Sequence, residues 1–188
     1  MILGSEVRLR AIERDDIPAF LRWLNDPEVK HFLLWHKPLS AAMEEQWFEA
    51  QLKSRNSMVL GIETNAGVHI GNIGLDDIDW KSRHAELGIV IGEKAYWGRG
   101  YGSDAIRALL RYAFGELNLH AVHLRVYDYN ERGMRAYAKC GFKHEGRLRD
   151  RIYRDGEYHD ILLMSILRQE YDGLEPTWPR PAACAHEE

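Results

Sequence analysis

Three alternating glycines, in Trp97-Gly98-Arg99-Gly100-Tyr101-Gly102, separate an apolar strand pattern at 84–91 from the clearest helix pattern in the chain, at 103–117. In that helix Ala105, Ile106, Leu109, Leu110, Ala113, Phe114 and Leu117 recur at helical spacing. A strand that becomes a helix through glycines demands a layered arrangement in which helix packs on sheet. The glycines also let the backbone turn sharply and approach a ligand closely. The first N–H groups of the helix, at Ser103, are unpaired and carry the positive end of its dipole. Loop and helix start together form a pocket for phosphate or pyrophosphate, to which Arg99 adds charge. Position 103 is serine, so the G-x-G-x-x-G dinucleotide fingerprint is absent, and no Gly-Lys-Ser/Thr of a Walker loop is present.

The remaining elements are read from period and punctuation. Residues 6–10 alternate, with Val7 and Leu9 on one face of a strand. Asp15 or Asp16 is suited to cap a helix through Trp23 or Leu24 that Asn25-Asp26-Pro27 ends. Ser40 caps a second helix to about Lys53. Residues 58–63 and 68–75 form a hairpin around Asn65-Ala66-Gly67, and 120–127 read as another strand. A short helix at 131–140 stops at Gly141, and 142–154 with 158–167 form a hairpin around Asp155-Gly156. The expected fold is α+β, or mixed α/β, with one sheet backed by helices. Residues 172–188 hold three of the six prolines and read as a loosely held acidic tail.

Composition narrows the function. With 188 residues and 45% apolar content the chain suits one domain with a sizeable core. Two cysteines, Cys140 and Cys184, exclude a disulfide scaffold. No apolar run is long enough for a membrane span, and MILGSEVRLR does not read as a signal peptide, so a cytoplasmic protein is expected. Of the net charge of −4, −3 belongs to the tail. The chain lacks the basic stripe that nucleic acid requires. His120 and His123 face opposite sides of their strand, which argues against a metal site.

The stretch from Glu86 to Phe142 resembles the acetyl-CoA site of the GNAT superfamily of N-acetyltransferases. That family's cofactor loop reads Arg/Gln-x-x-Gly-x-Gly/Ala. Gly100 and Gly102 match it, while Trp97 stands where arginine or glutamine is usual. The tryptophan variant is similar to the branch containing ribosomal-protein and spermidine/spermine acetyltransferases. Asn130, Tyr137, Gly141 and Phe142 match the family's Asn-x(6)-Tyr-x(3)-Gly-Phe run, and Ala85-Glu86-Leu87 matches the preceding strand. The looser resemblance to the family layout spans 6–171. It implies a single acetyltransferase domain at 1–171, with a central, mostly antiparallel sheet of about seven strands and about four helices.

The reaction so implied is direct transfer of acetyl from the thioester of acetyl-CoA to an amine. An alkylammonium near pKa 10.4 must lose a proton before it attacks. Glu86 matches the family's general base, and Tyr137 its general acid beside the cofactor sulfur. The resemblance assigns the cofactor to Ile89, Val90 and Ile91 on the strand, to Trp97, Gly98, Arg99, Gly100, Tyr101, Gly102 and Ser103 in the loop, and to Asn130 at the pantetheine arm. The loop carrying Trp35 and His36 borders the acceptor side in this family. The clusters Glu44-Glu45-Glu49 and Asp76-Asp77-Asp79 either attract a polycation, with Glu45 the substrate candidate, or form solvated faces. Cys140, without a supporting histidine, reads as packing. Glu145-Gly146, Gly156-Glu157-Tyr158 and Met164-Ser165-Ile166 are similar to spermidine/spermine acetyltransferases. That similarity favours a polyamine acceptor, with a protein N-terminus next. A non-catalytic acyl-CoA sensor on the same fold is the alternative. No metal is expected, and a homo-oligomer stays open.

Overall fold

The computed structural model describes residues 1–33, 35, 37–174 and 177. Among them are eight strands in one sheet: β1 (Ile2–Leu3), β2 (Val7–Ala11), β3 (Met58–Thr64), β4 (His69–Asp79), β5 (His84–Ile91), β6 (Ala121–Tyr127), β7 (Lys143–Arg154) and β8 (Glu157–Leu167). Six helices accompany them: α1 (Ile17–Asn25), α2 (Pro27–Lys30), α3 (Ala41–Lys53), α4 (Tyr101–Gly115), α5 (Glu131–Lys139) and α6 (Arg168–Leu174). The strands lie in the order β1-β2-β3-β4-β5-β6-β8-β7, and β5 with β6 is the parallel pair.

Additions to the expected count are the two-residue β1, the one-turn α2 and α6. All are too short to show a period of their own. Pro27, expected as a stop, ends α1 and then opens α2, because its fixed φ suits the first turn of a helix. Asp16 does not cap α1 with its side chain. Its carboxylate instead accepts the Glu13 N–H at 2.8 Å and both terminal nitrogens of Arg10 at 2.8 Å. The expected tail boundary at 172 falls inside α6; the chain beyond Leu174, Thr177 apart, lies outside the described residues.

Both faces of the sheet are covered. On one, α4 buries Ala105, Ile106, Leu109, Leu110, Ala113 and Phe114 against Val7, Leu9, Ile73, Leu87 and Leu124. On the other, Phe20, Trp23, Val29 and Phe48 from the first three helices pack with Val59, Val90 and Trp97. Asp104 on α4 ties the chain start to the first face, because its carboxylate accepts the N–H groups of Ser5, Glu6 and Val7 at 2.8–3.1 Å.

The registers reveal the feature that makes a site. β5 pairs with β6 only at His84–Ala121, Ala85–Val122 and Glu86–His123. Beyond Glu86, β5 continues on β4 as far as the Gly71–Ile91 pair, while β6 continues on β8 as far as Tyr127–Ile161. The sheet therefore splits between two neighbours that remain strands. The split leaves on each side an edge with no strand partner, where the Trp97 indole N–H donates to the Ile91 carbonyl at 2.6 Å; buried backbone groups on such edges require partners.

Candidate active site

A cleft of about 460 Å³ occupies the split. Ile89, Val90 and Ile91 of β5 line one wall, and Val126 with Tyr127 of β6 another. Trp97, Gly98, Gly100, Gly102 and Ser103 line its cofactor-loop end, and Asn130 with Tyr137 of α5 complete it. Glu86 also lines it. Arg99 and Tyr101 lie outside this lining. The Arg99 guanidinium rests over the Tyr96 and Tyr101 rings at 5.7 and 5.8 Å.

The glycine loop is built as its sequence requires. Gly98 has φ of +71° and Gly100 of +92°, a left-handed region that side chains penalise. Helix α4 starts at Tyr101, two residues earlier than its apolar period shows, because a helix start need not carry core residues. Its first backbone bond runs from the Asp104 N–H to the Gly100 carbonyl, so the N–H groups of Tyr101, Gly102 and Ser103 precede the intrahelical ladder. This cradle fits a diphosphate.

Burial pushes the Tyr137 phenol up to about 12, so it holds its proton across the neutral range. Asn130 caps α5, its side chain accepting the Gly133 N–H at 2.9 Å. Glu86 accepts a bond from Arg125 Nε at 2.7 Å, which fixes its carboxylate on the cleft wall. Cys140 is fully buried, donates to the Ser103 carbonyl at 3.5 Å, and is pushed up to about 11 by burial, which leaves it protonated and inert.

Residues that the sequence reading passed over also shape the cleft. Arg132, two residues after Asn130, lies 3.9 Å over the Trp97 ring and 5.2 Å from Phe32. Burial lowers its pKa, and among the described residues it has no anionic partner. A guanidinium thus stands beside Trp97, at the position where arginine or glutamine is usual. Arg154 of β7 donates to the carbonyls of Lys30, His31 and Leu33 at 2.9–3.0 Å, and the Tyr129 hydroxyl donates to the His31 carbonyl at 2.9 Å. Together they pin the loop after α2 against the cleft. Neither contact is visible in local spacing, since each joins residues about a hundred positions apart.

A second cavity of about 550 Å³ lies on the face covered by α1 and α3. Trp35 is on its wall; His36 lies outside the described residues. Glu45 is outside the lining and pairs with Arg14, as does Glu49. Glu44, by contrast, is buried and faces the cavity. Among the described residues no cluster of three or more His, Cys, Asp or Glu is able to hold a metal, and no helix is long and apolar enough to cross a membrane.

A sheet split between parallel strands, with a glycine cradle at one end of the opening and a protonated phenol on its wall, defines an acyltransferase that takes its acyl group from a coenzyme A thioester. The chain belongs to the acetyltransferase (GNAT) family, whose domain model matches residues 6–143. It is an N-acetyltransferase, and acetyl-CoA is the donor of that family. Over 169 residues it is 31% identical to a prophage-derived uncharacterized N-acetyltransferase, YokL, of Bacillus subtilis, covering 90% of this chain and 94% of that one. It is 29% identical to a spermidine N(1)-acetyltransferase of Vibrio cholerae, covering 90% and 97%. A crystal structure of a spermidine N-acetyltransferase from Vibrio cholerae in complex with CoA and spermine superposes with a TM-score of 0.84 at 28% identity, covering 88% and 98%.

Proposed function

We propose that the protein transfers acetyl from acetyl-CoA to a primary amine of a polyamine such as spermidine or spermine. The observation that carries this reading is the placement of Tyr137 in the same cleft as the glycine cradle and the unpaired edge of β5. The similarity to spermidine acetyltransferases over nearly the whole chain supports the choice of acceptor.

In this mechanism the cradle N–H groups and Arg132 hold the diphosphate, and Asn130 with the free edge of β5 holds the pantetheine. The free amine attacks the thioester carbonyl, a C–N bond forms, and the C–S bond breaks. Glu86, oriented by Arg125, receives the ammonium proton. With the phenol at about 12 and a thiol near about 8.5, full proton transfer to sulfur is uphill. Tyr137 therefore acts chiefly as a hydrogen-bond donor to charge developing on the departing sulfur. On this reading the chain works in the cytoplasm and assembles with copies of itself, the latter supported by a structural neighbour described as dodecameric.

Thiol release from acetyl-CoA, measured against spermine, spermidine, an N-terminal peptide and an aminoglycoside, tests the reading. Release with the polyamines is the expected result. Binding of acetyl-CoA with no release for any amine would instead identify a sensor.

A further inference from the structure

We propose that His123 carries the reaction proton out of the site, taking it from Glu86 and passing it toward His84 and Asp79 at the protein surface. The inference rests on the reading of Glu86 as the base and goes beyond it, because a base that has taken a proton must lose it before the next turnover.

The three rungs of β5 on β6 set the geometry. Glu86 and His123 are partners in register, and His84 stands two residues before Glu86. All three side chains therefore leave the same face of the sheet. The His84 and His123 rings lie 5.8 Å apart between centroids. His84 Nε2 is 3.8 Å from an Asp79 carboxylate oxygen, where β4 bulges between Asp76 and Asp79. Exposure rises along this line: the Glu86 side chain is 18% exposed, that of His84 44% and that of Asp79 41%. Such spacings suit transfer directly or through one water.

The chemistry singles out the two histidines. Burial holds the His123 pKa below its ordinary value, so at neutral pH a ring nitrogen is free to accept. The charges facing it oppose one another: Glu86 and Asp77 favour its imidazolium, while His84 and Arg125 disfavour it. Its register partner on β8, Ser165, is hydrogen bonded with Glu145. A histidine so balanced takes and releases a proton. His84 Nδ1 is buried and has no hydrogen-bond partner among the described residues. A buried polar atom of that kind calls for a partner, and a protonated His123 supplies the donor. Arg125, which also meets Glu86, is unable to serve, because a guanidinium has no basic site.

The step balances. The Glu86 O–H bond breaks, an N–H bond forms on His123, and the carboxylate is restored. The imidazolium then loses its proton toward His84 and from there to water beside Asp79. With acetyl-CoA and amine in the cleft, the cleft side of Glu86 is covered, and the face shared with His123 remains.

The test uses the full-length protein with acetyl-CoA and spermidine, reading thiol release in dilute buffer near neutral pH. His123→Ala should lower kcat about tenfold or more, with KM for acetyl-CoA unchanged. Added imidazole should restore kcat as its concentration rises, once release without spermidine is subtracted, and should leave wild type unmoved. His123→Gln, which fills the space and carries no proton, should show the same loss, so the loss is readable even where alanine loosens the sheet. An unchanged kcat in either variant overturns the relay. A lowered kcat in His123→Ala that imidazole fails to restore also overturns it, because a packing role alone gives that result. A wild type that releases no thiol with any amine overturns the functional reading and the relay with it.

Discussion

Glu44 should make the free protein less stable as pH rises, and replacing it should reverse that loss. Burial alone raises its pKa from 4.5 to about 7. A group that holds its proton more tightly when folded leaves the folded state with more bound protons between those two values. Stability therefore falls as pH climbs through that window, and the deficit is complete above about 7. The gap corresponds to about 3 kcal/mol. Between about pH 5 and about pH 8 the share expressed is about 2–3 kcal/mol.

Glu44→Gln does not titrate, so its stability relative to wild type should improve by that amount over the same interval. Asp76 is the other titratable group among the described residues on the wall of the second cavity, and both proteins retain it. Urea unfolding followed by tryptophan fluorescence is suited to the measurement, since Trp35 and Trp47 line that cavity. The decisive quantity is the difference between wild type and variant at the two pH values. A difference that does not change with pH, or that moves toward wild type at high pH, would refute the claim that Glu44 is a desolvated and unpaired acid. The predicted gain follows from burial alone: the variant folds better at high pH because it has lost a group that must ionise out of water.

Three further outcomes bear on the cofactor cleft. Gly100→Val forces a β-branched residue to φ +92°, at about 1–3 kcal/mol of strain; calorimetry should show acetyl-CoA binding lost in a protein that still melts cooperatively. Tyr137→Phe should lower kcat by about 100-fold or more with acetyl-CoA affinity unaltered, and an unchanged kcat would reduce Tyr137 to a packing residue. Glu86→Gln should be most impaired near neutral pH and recover as pH rises and the acceptor arrives already deprotonated; a wild-type pH–rate profile would remove Glu86 from proton transfer.

The cofactor half of the site was legible because it is local. Glycines at 98, 100 and 102, the helix behind them, and Asn130 with Tyr137 on one short helix are all set by spacing over a few turns. Of the second cavity the sequence pointed to Trp35 but not to the buried acid. Glu44, Glu45 and Glu49 look alike as a charge cluster, yet helical geometry divides them. Glu45 and Glu49, four apart, share a face and both meet Arg14. Glu44 lies about 100° around the helix, with Trp47 and Phe48 at the third and fourth positions on, and the structure turns that face inward. An acid placed at i with aromatics at i+3 and i+4 was the available signal. Arg132 over Trp97 and Arg154 on the carbonyls of Lys30, His31 and Leu33 had no such signal, because these pairs meet only after the sheet is assembled.

The parallel pairing of β5 with β6 explains why the sheet opens where the cleft lies. A hydrogen-bonded sheet is a continuous wall, and here each of its faces is covered by its own helices. The cofactor loop lies at the start of α4, whose apolar side packs one face; the second cavity, with Glu44 on its wall, lies under α3 on the other. Antiparallel neighbours joined by tight turns, such as β3–β4 and β7–β8, are held together by those turns. β5 and β6 are joined through α4, so after three rungs nothing holds their far ends together. Opening there exposes two strand edges, as the helix start exposes its N–H groups. Each of these would be a defect in a protein that bound nothing. The cradle and the β5 edge lie in one cleft with Tyr137, so the groups that the strand opening leaves without backbone partners are gathered at a single place.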